Sequence, residues 1–563
     1  MRILIYIEPQ LEMDLPTHKE NWLVDWVPRL ADGIRCGFSD GVRIVAIAAN
    51  HLVEAAPAIE GVEWVGVHQR DVVELKREDA LAGRIARFTS CGRGPESRRQ
   101  AERIAALLPG FVPDCVLALS DARFLQEIYP AAAIVQHEYG LFSRSPFPES
   151  FFFDPVGPTG VAWLGRYWRS VVDEWQPSEE EQRVTADFVD AYRTAIEISN
   201  PFDAEIATVR TRFARLALLP LQVSGHALYD GFTEVRSPLQ LSEAALDALP
   251  EGMGLIVTAH PGGRTLDEQS KAYLRARHSA FLMPQGDRWH AAPSQYLVPA
   301  CDTVVCVSSS VAALTLFWGN AFVAAGQGYL DFLAASDWSA PWPSRAKLDK
   351  VQRYRLLAWL LFRFLWTDED VRDGAQMRAL INTAIAVRRD SRYDNFYDRL
   401  PARSADRVLR GWVETVEYNG RAARFARDVE RFALGVNTND GALWRPLEAD
   451  LETTAAKMPL SRIRASFYFH QGMAAINGKG DRSTAADFFA RARDDYAALC
   501  AARPDDHLSA MYWHSAFHLP YALKGIGRDD AFRSSFLKLV CDPPRGAGPM
   551  PAETAARLGE LAG

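Results

Sequence analysis

Short runs of apolar residues, bounded by Gly, Pro, Asp or other polar residues, recur along roughly the first 330 positions of this chain. The first half contains RILIYI (2–7), VRIVAIAA (42–49), CVLALS (115–120) and AAIVQHE (132–138). The second half contains LALLPLQ (216–222), GLIVTA (254–259), TVVCVS (303–308) and AFVAAG (321–326). Unbroken runs of this length are typical of strands covered on both faces. Because helical patterns separate them, the sequence predicts two α/β domains built on parallel sheets.

The pattern also predicts where the chain divides. A helix that ends at Asn200 and Pro201 separates the two sets of runs, so the predicted α/β domains are residues 1–200 and 201–345. Strand-like runs disappear after about residue 340, and residues 346–430 are predicted to be crossover and linking helices. Residues 431–563 are predicted to be helical and loosely TPR-like, since Ala485 and Phe489 keep an A-x3-F spacing without the full repeat signature. That region is either a stabilising appendage or a docking surface for a protein partner.

Composition narrows the class of partner. The 563 residues include 63 Lys and Arg against 71 Asp and Glu, a net charge of -8 without acidic or basic blocks. This balance argues against a nucleic-acid surface and favours small molecules or neutral glycans. The seven cysteines are scattered and include no C-x-x-C pair, so neither a disulfide framework nor a zinc site is predicted. A reducing cytoplasm is the expected compartment.

Two apolar segments decide whether the sequence predicts a secretory signal or a membrane helix. The N-terminal run before Glu8 is five residues long, which is too short for a secretory signal and is interpreted as a first strand. Residues 356–366, LLAWLLFRFLW, are interrupted by Arg363 and are shorter than the ~20 residues that a bilayer crossing needs. A buried helix that packs two domains together is favoured there over a helix lying on a membrane surface.

Polar residues of unusual kinds follow two of the predicted strands. His260, Pro261 and two glycines follow GLIVTA, and Ser308, Ser309 and Ser310 stand between TVVCV and a helical VAALTLF. Ligands of open parallel sheets bind beyond the carboxyl ends of the strands. Three serines at a helix N-terminus can bind a phosphate, although simple helix capping by one serine is the alternative.

These elements resemble the capsule-polysaccharide Kdo transferases, glycosyltransferases of GT-B type with two Rossmann-like domains. The matching elements are PLQV (220–223), Asp230, the Ser237-Pro238 pair, the His260-Pro261 pair, SSSVAAL (308–314) and GQGYLD (326–331). The resemblance spans roughly residues 130–370, and GT-B sialyltransferases use comparable motifs for the same CMP leaving group. It implies transfer of Kdo, or a related ulosonic acid, from its CMP-activated form to a bacterial surface polysaccharide or glycolipid. It also implies a GT-B fold extended by the C-terminal helices.

The resemblance assigns roles to most of these residues. Its implied CMP-sugar site consists of His260, Pro261, Ser308, Ser309, Ser310, Gln327 and Gln222. Hydroxyl, N–H and imidazole groups would neutralise the departing phosphate, so no metal and no other cofactor are expected. The enzyme would act in the cytoplasm, and a peripheral position at the inner face of the cytoplasmic membrane stays open.

Two carboxylates are the candidate catalytic groups, together with His260. Asp230 is the implied nucleophile of a retaining reaction, although inversion stays open. The spacing QVSGHALYD places His226 near the usual position of the aspartate and Asp230 four residues later, and Ala312 stands where related sequences often have glycine. Glu138, at the exit of a predicted strand, is the candidate general acid or base.

Two other functions stay open. A GT-B nucleotide-sugar 2-epimerase would share both α/β domains but would need several carboxylates near a UDP site. A scaffold without catalysis is the third hypothesis, supported by the unusual QVSGHALYD spacing. The run of Phe147, Phe151, Phe152 and Phe153 suits sugar stacking or lipid contact, while core packing is the more common role of such residues.

Overall fold

The structure is a computed structural model. It describes residues 1–9, 20, 22–39, 41–68, 82, 85–86, 91–119, 121–157, 162–223, 229, 231–235, 237–260, 265–283, 293–338, 340, 342–502, 505–524, 531, 534–535 and 546–562. The chain forms two compact units, Met1–Glu417 and Tyr418–Gly563. The first unit contains both sheets, and the second is helical where it is described.

The first sheet has seven strands in the order β13-β6-β5-β4-β1-β2-β3. Their bounds are β1 Arg2–Tyr6, β2 Arg43–Ala49, β3 Val62–Val67, β4 Cys115–Ala118, β5 Ala133–Tyr139, β6 Ser150–Asp154 and, much later in the chain, β13 Trp366–Thr367. The first five strands pair in parallel, and the apolar runs predict all of them except β3. β6 and β13 add an antiparallel edge, so the expectation that strands disappear after about residue 340 was wrong at this point.

The second sheet has six strands in the order β12-β11-β10-β7-β8-β9, and all neighbours pair in parallel. Their bounds are β7 Arg215–Pro220, β8 Met253–Thr258, β9 Phe281–Leu282, β10 Thr303–Cys306, β11 Ala321–Ala324 and β12 Ser336–Asp337. Both sheets therefore have the doubly wound order of a Rossmann domain. The predicted GT-B class with a helical C-terminal region is confirmed, while the domain boundaries given above stay predictions.

The helices of the first unit connect the strands and cover the sheets. Their bounds are α1 Val27–Gly37, α2 Asn50–Ala55, α3 Pro95–Ala106, α4 Trp163–Arg169, α5 Glu179–Ser199, α6 Asp203–Arg210, α7 Pro238–Asp247, α8 Glu268–Arg277, α9 Ser294–Leu297, α10 Val311–Trp318, α11 Lys350–Trp359, α12 Asp368–Arg372, α13 Gly374–Asp390 and α14 Ala405–Val408. α5 ends at Ser199, as the Asn200-Pro201 pair predicts. Its N-terminus is held by a capping box between Ser178 and Glu181.

The remaining helices lie mostly in the second unit. Their bounds are α15 Thr415–Asn437, which spans the boundary between the units, α16 Gly441–Trp444, α17 Glu448–Ala455, α18 Arg462–Lys479, α19 Arg482–Ala502, α20 Asp506–Lys524 and α21 Ala552–Ala562. α18 ends at Lys479, its C-cap Gly480 has a φ of 64° in the left-handed region that favours glycine, and α19 follows at once. The two helices pack so closely that a Cβ on Gly472 would lie 2.6 Å from the Phe489 ring. Whether this region is TPR-like stays a prediction.

A cluster of buried aromatic rings connects the two α/β halves of the first unit. Phe317 of α10 lies 5.1 Å from Phe142 and 5.7 Å from Phe147, between ring centroids, and 4.4 Å from Tyr192 of α5. Phe147 also stacks on Tyr192. Large rings in contact dominate the energetics of such interfaces. The loop before α10 that consists of Ser308, Ser309 and Ser310, called the serine loop below, is thereby held at a defined place relative to the first sheet.

Residues 356–366 are core. Trp359, Leu360, Phe362 and Trp366 are each at most 2% exposed, and the segment runs from α11 through a short π-helical turn into β13. Arg363 turns outward to Glu181 and the Trp175 ring. This confirms the buried alternative for the segment. In the part of the chain that the structure describes, no helix is both long and apolar enough to cross a membrane.

A buried ion-pair network holds the returning segment after β13. The Arg403 guanidinium donates to Asp370 Oδ2 at 2.9 Å, and both side chains are less than 5% exposed. The Thr367 backbone N–H donates to the same oxygen. Arg407 lies 2.7 Å from Asp370 Oδ1 and donates to Asp373 at 2.8 Å. The network therefore ties the start of α12 and α13 to the chain around α14.

Candidate active site

Three of the predicted site residues lie at neighbouring strand ends of the second sheet. The chain leaves β7 toward β8 on one side and resumes at β10 on the other, so the switch point lies between β7 and β10. Gln222 is two residues beyond β7, Ser308 is two residues beyond β10, and His260 is two residues beyond β8. The crevice at such a point is where open α/β sheets bind their ligands.

Gln222 and Ser308 hold each other across the switch point. The Gln222 Nε2 amide donates to Ser308 Oγ at 2.9 Å, and the Ser308 backbone N–H donates to Gln222 Oε1 at 3.0 Å. The nitrogen and the oxygen of the Gln222 amide therefore both hydrogen-bond to Ser308. These two hydrogen bonds hold the first residue of the serine loop at the carboxyl end of the sheet.

The other two serines use their side chains differently. Ser309 Oγ accepts from the Val311 backbone N–H at 3.3 Å, a local turn contact. Ser310 is the N-cap residue of α10, yet its side chain makes no capping hydrogen bond. Among the described residues, nothing pairs with the backbone N–H groups of Ser309 and Ser310 or with the Ser310 hydroxyl. Simple capping by the N-cap serine is thus not what the structure contains, and an anion can be bound there.

The glycine-rich turn after β11 packs directly against the serine loop. A Cβ on Gly326 would lie 2.6 Å from Val307 Cγ1, and a Cβ on Gly328 would lie 3.2 Å from the Ser308 Cα. Only glycine permits this close approach. The Gln327 backbone N–H donates to the Phe232 carbonyl at 2.8 Å, and the Gln327 residue is exposed.

Asp331, the last residue of the GQGYLD motif, is a further candidate site residue. Its Oδ2 accepts from the Gly328 backbone N–H at 2.8 Å, and its Oδ1 is buried without a hydrogen-bond partner. Burial raises the pKa of this carboxyl to about 6, against the smaller lowering effect of the Gly328 N–H. Carboxyl groups with a raised pKa occur often at functional sites, so Asp331 is a candidate for proton transfer. Burial is a tertiary property, so no sequence signal marked Asp331 out from other acidic residues.

Glu138 reaches the same turn from the first sheet. It lies at the end of β5, where its Oε1 accepts from the Tyr139 N–H at 3.0 Å. Burial raises the pKa of Tyr329, and the neighbouring Glu138 charge raises it further. The Phe152 ring on β6 lies 5.9 Å from the Tyr329 ring, between centroids. Tyr329, which the sequence analysis did not single out, thus connects Glu138 to the turn that packs on Ser308.

Other predicted residues lie outside the described part of the chain. They are Asp230, His226 and Pro261. His260 itself is described and is partly buried. The aromatic run has a definite outcome: Phe147, Phe151, Phe152 and Phe153 are each at most 5% exposed, so these rings form core and not a stacking surface.

His137, next to Glu138 on β5, predicts a pH dependence of stability. Its Nδ1 accepts from Trp26 Nε1 at 2.7 Å, and Nε2 is buried without a partner. Burial lowers the pKa of His137 to about 3, below the ~6.5 of the unfolded chain. Between these values the unfolded state binds more protons, so this residue makes the protein less stable as the pH falls.

His137→Gln should remove that contribution, because glutamine offers an acceptor to Trp26 and does not titrate. Relative to the variant, the wild type should lose about 2–3 kcal/mol of unfolding free energy between pH 7.5 and 4.5. Urea titrations of both proteins at several pH values measure the difference. Parallel curves would contradict a neutral, buried His137.

Comparison with known proteins finds similarity at the level of structure. No family model and no curated protein matches the chain. A KpsC structure from Thermosulfurimonas dismutans, a beta Kdo 2,7 transferase, is 14% identical over 52% of this chain and 95% of that chain, with a TM-score of 0.29. A beta Kdo 2,4 transferase structure of KpsC from the same organism is 17% identical over 48% and 87%, with a TM-score of 0.31. A UDP-GlcNAc 2-epimerase from Neisseria meningitidis is 11% identical over 69% and 100%, with a TM-score of 0.24. Values this low assign none of these activities to the chain.

Proposed function

We propose that this protein is a glycosyltransferase that moves Kdo, or a related ulosonic acid, from its CMP-activated form to a bacterial surface polysaccharide or glycolipid. The observation that carries the proposal is the serine loop at the switch point of the second sheet. Two backbone N–H groups and one hydroxyl lie there without partners among the described residues, next to Ser308 and Gln222. The choice of CMP and of Kdo rests on the motif resemblance.

In this proposal the serine loop and His260 bind the donor phosphate as it leaves. N–H and hydroxyl groups that are already oriented stabilise developing negative charge without reorganising, so the protein needs no metal for this step. The Gln222 amide keeps Ser308 in place, and Gln327 lies beside the nucleotide. Transfer should therefore continue in EDTA.

In this proposal the carboxylates have separate roles in the reaction at the sugar. Asp230 attacks the anomeric carbon, or stabilises its developing positive charge, because an oxocarbenium-like transition state needs a nearby carboxylate. Glu138 takes the proton from the acceptor hydroxyl as general base. Asp331, whose raised pKa suits proton exchange near neutral pH, is a further candidate for that role.

Ser310→Ala tests the donor site without disturbing the fold. The hydroxyl makes no hydrogen bond to the described protein, so its loss should leave the melting temperature unchanged. CMP affinity should fall about fivefold to tenfold through the lost hydrogen bond. Calorimetric titration with CMP and a melting curve measure the two effects.

The matched control is Ser461→Ala at the N-cap of α18. Ser461 does cap its helix, accepting from the Arg464 N–H at 3.2 Å. This variant should lose about 1 kcal/mol of stability and keep wild-type CMP affinity. Unchanged CMP affinity in Ser310→Ala, or weakened CMP binding in Ser461→Ala, would contradict the phosphate site.

A nucleotide-sugar 2-epimerase is the second candidate, because two carboxyl groups, Glu138 and Asp331, flank the Tyr329 turn. Thermal-shift measurements with CMP, UDP and GDP distinguish the candidates, since a ligand that binds only the native state raises the melting temperature. Stabilisation by CMP supports the transferase, and stabilisation by UDP supports the epimerase. No shift with any of the three would favour the scaffold.

A further inference from the structure

A cavity lies in the first α/β half, on the face of the first sheet that carries Glu138. Its volume is about 430 Å³, within the usual size range of small-molecule sites. Gln136 of β5 and Asp154 of β6, which are register partners, line it. Gln136 precedes Glu138 by two residues and so shares its face of the strand, about 7 Å away. The cavity contains none of the residues proposed for the donor.

Positive charge dominates the lining. Four arginines line the cavity: Arg93, Arg123, Arg166 and Arg388. The side chains of Arg93 and Arg166 have no hydrogen-bond or ion-pair partner in the described part of the chain. Arg388 donates to the Pro130 carbonyl, and Arg123 pairs with Asp121, which is outside the lining.

The two carboxylates of the lining form no ion pair with these arginines among the described residues, although the nearby Arg123 charge favours the ionised form of Asp154. Asp154 accepts from three backbone N–H groups, those of Val156, Gly157 and Trp163, at 2.7–3.0 Å. Burial raises the pKa of Asp154 to about 6, so the group is mostly ionised at pH 7.5. Glu127, the other carboxylate, makes no ion pair to an arginine among the described residues. A surplus of positive charge is therefore left for a ligand.

Gln136 provides an independent indication of a ligand. Its residue is only 6% exposed, and its side-chain amide has no hydrogen-bond partner among the described residues. The amide is open to the cavity, so it is available to hydrogen-bond a molecule bound there. An amide that lines a cavity without a protein partner marks a position where a bound molecule completes the hydrogen bonds.

We infer that this cavity binds a small anionic, hydroxyl-bearing molecule of the sugar-phosphate class. The arginines take the phosphate, for which the guanidinium fork is well shaped. Gln136 and Glu127 hydrogen-bond the hydroxyl groups. Binding here needs neither CMP nor transfer, so the inference stands or falls separately from the proposed function.

The test is calorimetric titration of the full chain with glucose 6-phosphate, glucose and inorganic phosphate at pH 7.5 and low salt. Glucose 6-phosphate should bind more tightly than either other compound. Arg166→Ala, Arg93→Ala and Gln136→Leu should each weaken it about tenfold. Arg169→Ala is the matched control. This exposed arginine of α4 lies over the Trp168 ring and does not line the cavity, so the variant should bind glucose 6-phosphate with wild-type affinity.

Cys91 offers a second readout, because it lines the cavity whereas the exposed Cys36 does not. Glucose 6-phosphate should slow alkylation of Cys91 by iodoacetamide and leave Cys36 unaffected, as followed by peptide mass spectrometry. Wild-type affinity in Arg93→Ala and Arg166→Ala, or no protection of Cys91, would overturn the inference. Equal affinity for glucose and glucose 6-phosphate would overturn it as well, since the arginines would then have no role.

Discussion

Glu138→Gln is expected to lower the rate of sugar transfer by about 10²–10⁴-fold, the usual contribution of a general acid or base. Glutamine keeps the shape of the side chain and can still accept from the Tyr139 N–H, but it cannot take a proton from an acceptor hydroxyl. CMP affinity should stay at the wild-type value, because Glu138 belongs to the first sheet and the proposed phosphate site to the second. Product formation from CMP-Kdo and calorimetric titration with CMP measure the two quantities.

The control is Glu149→Gln, the same change on the loop just before β6. Glu149 is exposed and pairs with Arg29, and among the described residues it makes no contact with the glycine-rich turn. This variant should transfer sugar at the wild-type rate. Equal activity of Glu138→Gln and the wild type would remove Glu138 from the mechanism.

Parallel variants separate the three carboxylates. Asp230→Asn should stop transfer if Asp230 is the nucleophile, because the neutral amide attacks poorly. Wild type incubated with donor and no acceptor should then gain the mass of one sugar within residues 222–237. If Asp331→Asn is inactive while Glu138→Gln is active, the proton-transfer role belongs to Asp331.

Arg403→Met is expected to lower the unfolding free energy by about 1.5–3 kcal/mol, the usual contribution of a hydrogen bond to a charged group, because Asp370 keeps Arg407 as a partner. Asp370 would lose the guanidinium that donates to it at 2.9 Å, in a place where both side chains are almost fully buried. The change would also remove the cation that lies over the Trp366 ring of β13. Urea unfolding followed by tryptophan fluorescence measures the loss.

Arg399→Met is the matched control for this prediction. Arg399 is one-third exposed and lies 3.6 Å from Asp390, so its ion pair is screened by solvent. Its replacement should cost at most about 1 kcal/mol. Similar small losses in both variants would mean that the network around Asp370 does not hold the returning segment.

The strands were largely predictable from the sequence. Eight apolar runs were interpreted as strands, and each contains one in the structure, because a strand buried on both faces must be apolar along its whole length. β3 was missed because its polar Glu63 and partly exposed residues break that pattern. The pattern also does not predict β6, whose three phenylalanines suit ligand contact as well, or the two-residue strands β9, β12 and β13, which are too short for any periodicity.

By itself, the sequence determined the two Rossmann-type halves, the helical C-terminal region and the strand ends at which Gln222, His260 and Ser308 lie. These features depend on local apolar runs and on the residues that follow each run. Only the tertiary structure decided which strand ends become neighbours and which charges are buried. It placed Ser308 within hydrogen-bond distance of Gln222, 86 positions earlier. It brought Tyr329 beside Glu138, buried Asp331 and gathered four arginines around one cavity. Proximity and burial arise from contacts between residues far apart in the chain, and no local pattern records them.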